Sequence, residues 1–186
     1  MSPSEIKKKA ADLLAKQDFS GRYGLCFLNL TRLKIGHGTI VTTFGEFERA
    51  FPGHTLETAG LCSGATVTYA GRYIIFYDPS VEDDCAVALL HEVGHVILGH
   101  CTGKRRGPEI EEEAELFAYE FLMPECVIRY LDALKGEPLS PQEFGAYFRG
   151  TLPEHFARRL QISERTPEPA DENETEILRR LFAVKG

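Results

Sequence analysis

The chain has 186 residues, 43% of them hydrophobic, and a formal net charge of −7, which fits one globular domain with a sizeable core and at most a small appendage. The acidic balance disfavours nucleic-acid binding, no apolar run reaches the roughly 18 residues of a membrane helix, and no signal-peptide pattern follows the polar N-terminus. The five scattered cysteines form no CxxC pair, which indicates a reducing, cytoplasmic location rather than a disulfide framework.

The first half of the chain predicts one helix followed by several strands. Apolar residues at helical spacing predict an amphipathic helix over residues 4–17, and the aromatic and aliphatic run at 23–30 predicts a buried strand. A short strand over 38–44 and a short helix over 44–53 come next. Two β-rich runs within 65–78, separated by a single glycine, predict a tight hairpin.

The second half predicts only helices. Their ranges are 85–98, 109–123, 126–134, 140–150, 152–161 and, after a proline- and acid-rich linker, 175–186. The predicted fold class is therefore α+β, with a small twisted sheet packed on the first two of these helices. We expect a main domain over 1–136, a short helix-turn-helix-like region over 137–162, and a linker with a terminal helix over 163–186.

The helix predicted over 85–98 contains an HExxH motif, in which His91 and His95 flank Glu92. Residues four apart lie on one face of a helix, so both imidazoles can reach one metal ion while the glutamate reaches a water bound to it. Catalytic zinc takes three protein ligands and keeps its fourth position for water. The helix also contains Gly94, which costs about 1 kcal/mol relative to alanine and predicts a close neighbour, either backbone or substrate.

The third ligand is not fixed by spacing. A metzincin site would need glycine and histidine where the chain has Leu98 and Cys101, and His100 is one residue out of place. A glutamate from the following helix is favoured, because five glutamates lie between residues 109 and 115. Spacing alone does not separate Glu111 from its two glutamate neighbours.

The sequences HEVGHVILGH and EIEEEAELFAYEFLMP resemble the ImmA/IrrE family of zinc metallopeptidases. The resemblance covers about residues 60–160 and includes the downstream FGAYFRGTLPEHFARRL. Alignment backwards from the LMP sequence implies that Glu111 is the third zinc ligand. The family has Asn or Asp where this chain has Glu115, whose carboxylate could accept a hydrogen bond from a ligand histidine.

The resemblance implies a cytoplasmic zinc endopeptidase that cleaves a repressor-type bacterial or phage regulator. Zinc would be bound by His91, His95 and Glu111, with Glu92 as the general base. An alternative is a regulatory or sensor module that keeps the metal-binding fold with little proteolysis. A third hypothesis is DNA binding through the helices on either side of Thr151, which the negative net charge of the chain disfavours.

The remaining polar residues are predicted to be structural. Glu112 and Glu113 are assigned to a solvated helix face, and His100 either to the surface or to a helix end. Tyr119 is assigned to the core, although its hydroxyl could reach a substrate oxyanion. No metal spacing and no catalytic role is assigned to His37, His54 and His155, or to Cys26, Cys62, Cys85, Cys101 and Cys126.

Overall fold

A computed structural model gives the fold of the chain. It describes residues 1–17, 33–36, 38–50, 52, 64–79, 85–102, 107–147, 153–162 and 172–182. The strand predicted at 23–30, His37, His54, and most of the predicted linker lie outside the described residues. Within them the architecture is α+β, as predicted, with helices outnumbering the strands of one small mixed sheet.

The described sheet has three strands, β1 (Ile40–Thr43), β2 (Gly64–Tyr69) and β3 (Arg72–Tyr77), in the order β1-β3-β2. Strand β1 is parallel to β3, and β2 is antiparallel to it. The β2–β3 hairpin is confirmed. Its two turn residues, Ala70 and Gly71, have φ angles of 49° and 74°, the left-handed pair that closes a tight hairpin.

Eight helices accompany the sheet in the described residues, and a 3-10 turn over His100–Thr102 separates the third from the fourth. They are α1 (Pro3–Leu14), α2 (Phe44–Ala50), α3 (Cys85–Ile97), α4 (Pro108–Leu122), α5 (Glu125–Lys135), α6 (Pro141–Tyr147), α7 (Pro153–Ile162) and α8 (Glu172–Phe182). Each lies close to its predicted position. None of the described helices is long and apolar enough to cross a membrane.

Helix α3 is the centre of the fold, because it packs on the sheet with one side and on α4 with another. Its apolar residues Leu89, Leu90 and Val93 are completely buried. The close neighbour predicted for Gly94 is the backbone of α4, since a Cβ at this position would lie 3.2 Å from the Cα of Ala114. The glycine therefore lets the two helices that carry the predicted ligands approach each other closely.

The terminal helix α8 is docked rather than loose. Its Ile177 is completely buried. The guanidinium of Arg180 donates hydrogen bonds to the carbonyl oxygens of Ala15 and Gln17, at 2.8 and 2.6 Å, just after the end of α1. Helix α1 in turn packs along α4, so both ends of the described chain support the helix that supplies the acidic residues.

Candidate metal centre

Helix α3 places the two motif histidines one turn apart on the same face. The Nε2 atoms of His91 and His95 are 3.0 Å apart, and their rings meet edge to face with centroids 4.7 Å apart. Burial is the main cause that lowers the pKa of His95, and the neighbouring His91 lowers it further. A lowered pKa keeps the imidazole neutral at neutral pH, which is the form that binds a metal ion.

Helix α4 brings Glu111 to the same point. Its Oε2 atom lies 3.1 Å from the Nε2 atom of His91 and 3.4 Å from that of His95. In a tetrahedral zinc site with ligand distances of about 2.0–2.1 Å, the ligand atoms are roughly 3.3 Å apart. The three donor atoms therefore have the spacing and the chemistry of a His₂Glu zinc site, and these residues form a group able to hold a metal ion.

The other glutamates of α4 have different environments. Glu112 is exposed. Glu115, predicted as a possible partner of a ligand histidine, instead accepts two hydrogen bonds from the guanidinium of Arg158, at 3.2 and 3.1 Å. Spacing could not distinguish Glu111 from its neighbours, whereas in the folded chain Glu111 is the one that meets both motif histidines.

The carboxyl group of Glu92 lies between α3 and strand β2. Burial raises its pKa, while the Thr66 hydroxyl and the imidazole of His91 act in the opposite direction. A Cβ on Gly64 would lie only 3.1 Å from the Cγ of Glu92, so the first residue of β2 must be small for the strand to lie against this side chain. Sequence reasoning missed the role of Gly64, although a glycine at the start of a strand often marks such an approach.

His100 lies just after the end of α3, as one of the two predicted alternatives has it, but it is buried rather than at the surface. Only 6% of the residue is exposed, and its Nδ1 atom lies 3.0 Å from the Nδ1 atom of His95. The cause is the end of α3, where Gly99 adopts a left-handed φ of 78° and the chain turns back into the 3-10 turn.

The assignment of Glu113 to a solvated face was wrong. The residue is 9% exposed, and its Oε2 atom lies 2.9 Å from the Nε2 atom of His100. Its other carboxylate oxygen accepts from the amino group of Met1. Glu113 lies four residues before Phe117, on the buried stripe of α4 rather than on the face that carries Glu111.

A cleft of about 480 Å³ opens beside the proposed ligands. Its lining comes from the start of β2, from half-buried residues of α3, and from α4, which contributes Glu111, Glu115 and Tyr119 at intervals of four residues and the exposed Glu112. Helix α7 adds His155, whose Nδ1 atom lies 3.1 Å from the Tyr119 hydroxyl. Tyr119 is buried in the core, as predicted, and also lines the cleft, while His155, which was assigned a structural role, lines the cleft as well.

Comparison with known proteins identifies the family. The family model Peptidase_M78, described as the IrrE N-terminal-like domain, matches residues 61–166, more than half of the chain. The chain belongs to this family. The match spans the hairpin, both helices of the metal centre and α7, and it agrees with the resemblance to ImmA/IrrE proteins. No curated protein and no solved structure gave a significant match.

Membership in this family indicates a metallopeptidase-type function for the chain. The matched range contains the His91, His95 and Glu111 group together with Glu92. Helix α1, which precedes the matched range, supports the site from outside by packing along α4.

Proposed function

We propose that this chain is a zinc-dependent endopeptidase. The observation that carries the proposal is the convergence of His91, His95 and Glu111 on one point beside Glu92, in a protein of a metallopeptidase family. Two imidazoles and one carboxylate form the ligand set of His₂Glu zinc peptidases. When bound, zinc would lower the pKa of its water to about 7 and polarise the scissile carbonyl.

Glu92 is the proposed general base. It takes a proton from the attacking water as the water oxygen bonds to the carbonyl carbon, and it delivers that proton to the leaving amine as the C–N bond breaks. Burial raises the pKa of this carboxyl group towards the working pH, which favours such a shuttle. The Tyr119 hydroxyl and the His155 imidazole, both in the cleft lining, are the proposed donors for the developing oxyanion.

The substrate is proposed to bind as an extended segment along β2. In the described sheet β2 pairs with β3 on one side and lies at the edge on the other. Its first residue, Gly64, lines the cleft, so a peptide added to this edge would run past the proposed metal. Main-chain hydrogen bonds of this kind hold many peptides to exposed sheet edges.

A repressor-type regulatory protein is the proposed substrate class. This choice rests on the resemblance of the HExxH and LMP regions to ImmA/IrrE proteins. A cytoplasmic location suits such a substrate, and the cysteines in the described residues, Cys85, Cys101 and Cys126, are free thiols, which fits a reducing compartment.

The Glu92→Gln variant tests the proposal. Purified wild-type and variant chains are loaded with zinc and incubated with a library of proteome-derived peptides, and new termini are identified by mass spectrometry. The wild type is expected to cleave, and the variant to keep one zinc per chain while cleaving at least about 100-fold more slowly. Equal cleavage by both would contradict the role of Glu92. No cleavage by a zinc-loaded wild type would favour a regulatory module on the same scaffold.

A further inference from the structure

A second pair of buried polar side chains lies directly behind the proposed metal centre. The side chains of His100 and Glu113 are only 2% and 10% exposed, and they contact each other at 2.9 Å. His100 also contacts the Nδ1 atom of His95, at 3.0 Å. Burying an imidazole and a carboxylate costs free energy unless each finds hydrogen-bond partners. Here both side chains have such partners: Glu113 contacts His100, and His100 contacts the proposed ligand His95.

The direction of these hydrogen bonds follows from the ligand role of His95. Its Nε2 atom faces Glu111 and His91, so a metal there would leave the ring proton on Nδ1. That Nδ1–H can then donate only to an unprotonated Nδ1 of His100. The proton of His100 is consequently on Nε2, which donates to the carboxylate of Glu113.

We propose that His100 and Glu113 are positioning residues for His95. The inference rests on the proposed metal centre and assigns the pair no contact with the metal, because His100 meets the ring nitrogen of His95 that points away from Glu111. The pair fixes both the orientation and the tautomer of the His95 ring, because the Glu113 carboxylate accepts from Nε2 of His100 and leaves its Nδ1 as the acceptor for His95. Hydrogen-bond partners of metal-bound histidines commonly change metal affinity 10–100-fold, that is, by about 1.4–2.7 kcal/mol.

Two substitutions of His100 separate positioning from simple packing. His100→Asn places an amide oxygen near the position of Nδ1 and keeps an acceptor for His95. His100→Leu fills similar space and removes the acceptor. A third variant, Glu113→Gln, keeps the shape of the side chain and removes the charge that holds the His100 tautomer. Its matched control is Glu112→Gln, the preceding residue on the same helix, which is exposed.

The measurement is the zinc dissociation constant of each full-length chain, obtained by competition with a chelator, together with the absorption spectrum of the cobalt-loaded form. His100→Leu should bind zinc roughly 10–100-fold more weakly, and Glu113→Gln roughly tenfold more weakly. His100→Asn should recover most of the wild-type affinity and its cobalt spectrum, and Glu112→Gln should match the wild type.

Wild-type affinity in a folded His100→Leu chain would overturn the inference. Equal losses in His100→Asn and His100→Leu would do the same, because they would indicate packing alone. If His100→Leu does not fold, unchanged affinity in Glu113→Gln contradicts the inference instead. Failure of the proposed function looks different, since a wild-type chain that binds no zinc would remove both the metal centre and the positioning role.

Discussion

The backbone of Ala114 lies so close to Gly94 that a Cβ added there would come within 3.2 Å of both its Cα and its carbonyl oxygen. This contact sets the separation of α3, which carries His91 and His95, from α4, which carries Glu111. Backbone atoms inside two packed helices cannot move aside independently. The spacing of the three proposed ligands therefore depends on a residue that supplies no ligand atom itself.

Gly94→Ala is expected to push α3 and α4 apart by a few tenths of an ångström. Overpacking of this kind costs about 1–3 kcal/mol, which for a chain of this size lowers the melting temperature by several degrees. Zinc affinity should fall as well, because Glu111 moves away from the two histidines. Calorimetric melting of the metal-free chain and zinc titration measure the two effects.

The matched control is Gly45→Ala, the same substitution in helix α2, where an added Cβ meets nothing within 4 Å. It should be neutral or stabilising by up to about 1 kcal/mol, since alanine is the better helix former. If Gly94→Ala were as stable as Gly45→Ala and bound zinc like the wild type, the close approach of the helices would not be required for the site.

Adjacent arginines on α7 are expected to differ greatly in their contribution to stability. Arg159 is completely buried, pairs with the buried Glu120, and donates from Nε to the carbonyl oxygen of Met123 at 3.2 Å. Arg158 pairs with Glu115 at the surface. Arg159→Met leaves a buried carboxylate without its partner, which costs about 3–5 kcal/mol.

The Arg158→Met control should lose at most about 1 kcal/mol, because an exposed ion pair contributes little. Urea unfolding of the two metal-free variants measures the difference. Similar free energies of unfolding for both would contradict the structural role of Arg159. A large loss of unfolding free energy confined to Arg159→Met would show that Arg159 holds α7, which carries His155, against α4.

DNA binding through α6 and α7 is not expected. The two arginines of α7 that could contact phosphates already form ion pairs: Arg158 with Glu115 and Arg159 with Glu120. The whole chain is acidic, so a DNA backbone would be repelled. Fluorescence anisotropy with a labelled duplex at low salt should show no binding at micromolar protein. Salt-dependent binding would revive a role for these helices in nucleic-acid recognition.

The local elements of the fold could be predicted from the sequence because each depends on nearby residues. Helical spacing predicted α1, α3 and α4, and the glycine between two β-rich runs predicted the hairpin. The glycine inside α3 also predicted a close neighbour correctly. The identity of that neighbour, Ala114, needed the structure, since nothing local relates α3 to the following helix.

The burial of His100 and Glu113 behind the proposed metal centre could not be predicted in the same way. His100 was excluded as a ligand on spacing, but its burial depends on how the chain turns at Gly99. Glu113 carried a usable signal, because it lies four residues before Phe117 on the apolar stripe of α4. Glu111 carried a signal of the same kind for the opposite side of α4, since Glu115 and Tyr119 follow it at four-residue spacing along the side that lines the cleft. Five glutamates in seven residues concealed both patterns.

Metal analysis tests the central claim most directly. Full-length wild type, Glu111→Ala and the neighbouring control Glu112→Ala are purified in the same way, incubated with zinc, dialysed and measured for zinc per chain. We predict one zinc per chain for the wild type and for Glu112→Ala, and a loss of most of it for Glu111→Ala, because two histidines alone hold the ion weakly. Unchanged zinc content in a folded Glu111→Ala chain would contradict the His91, His95 and Glu111 centre.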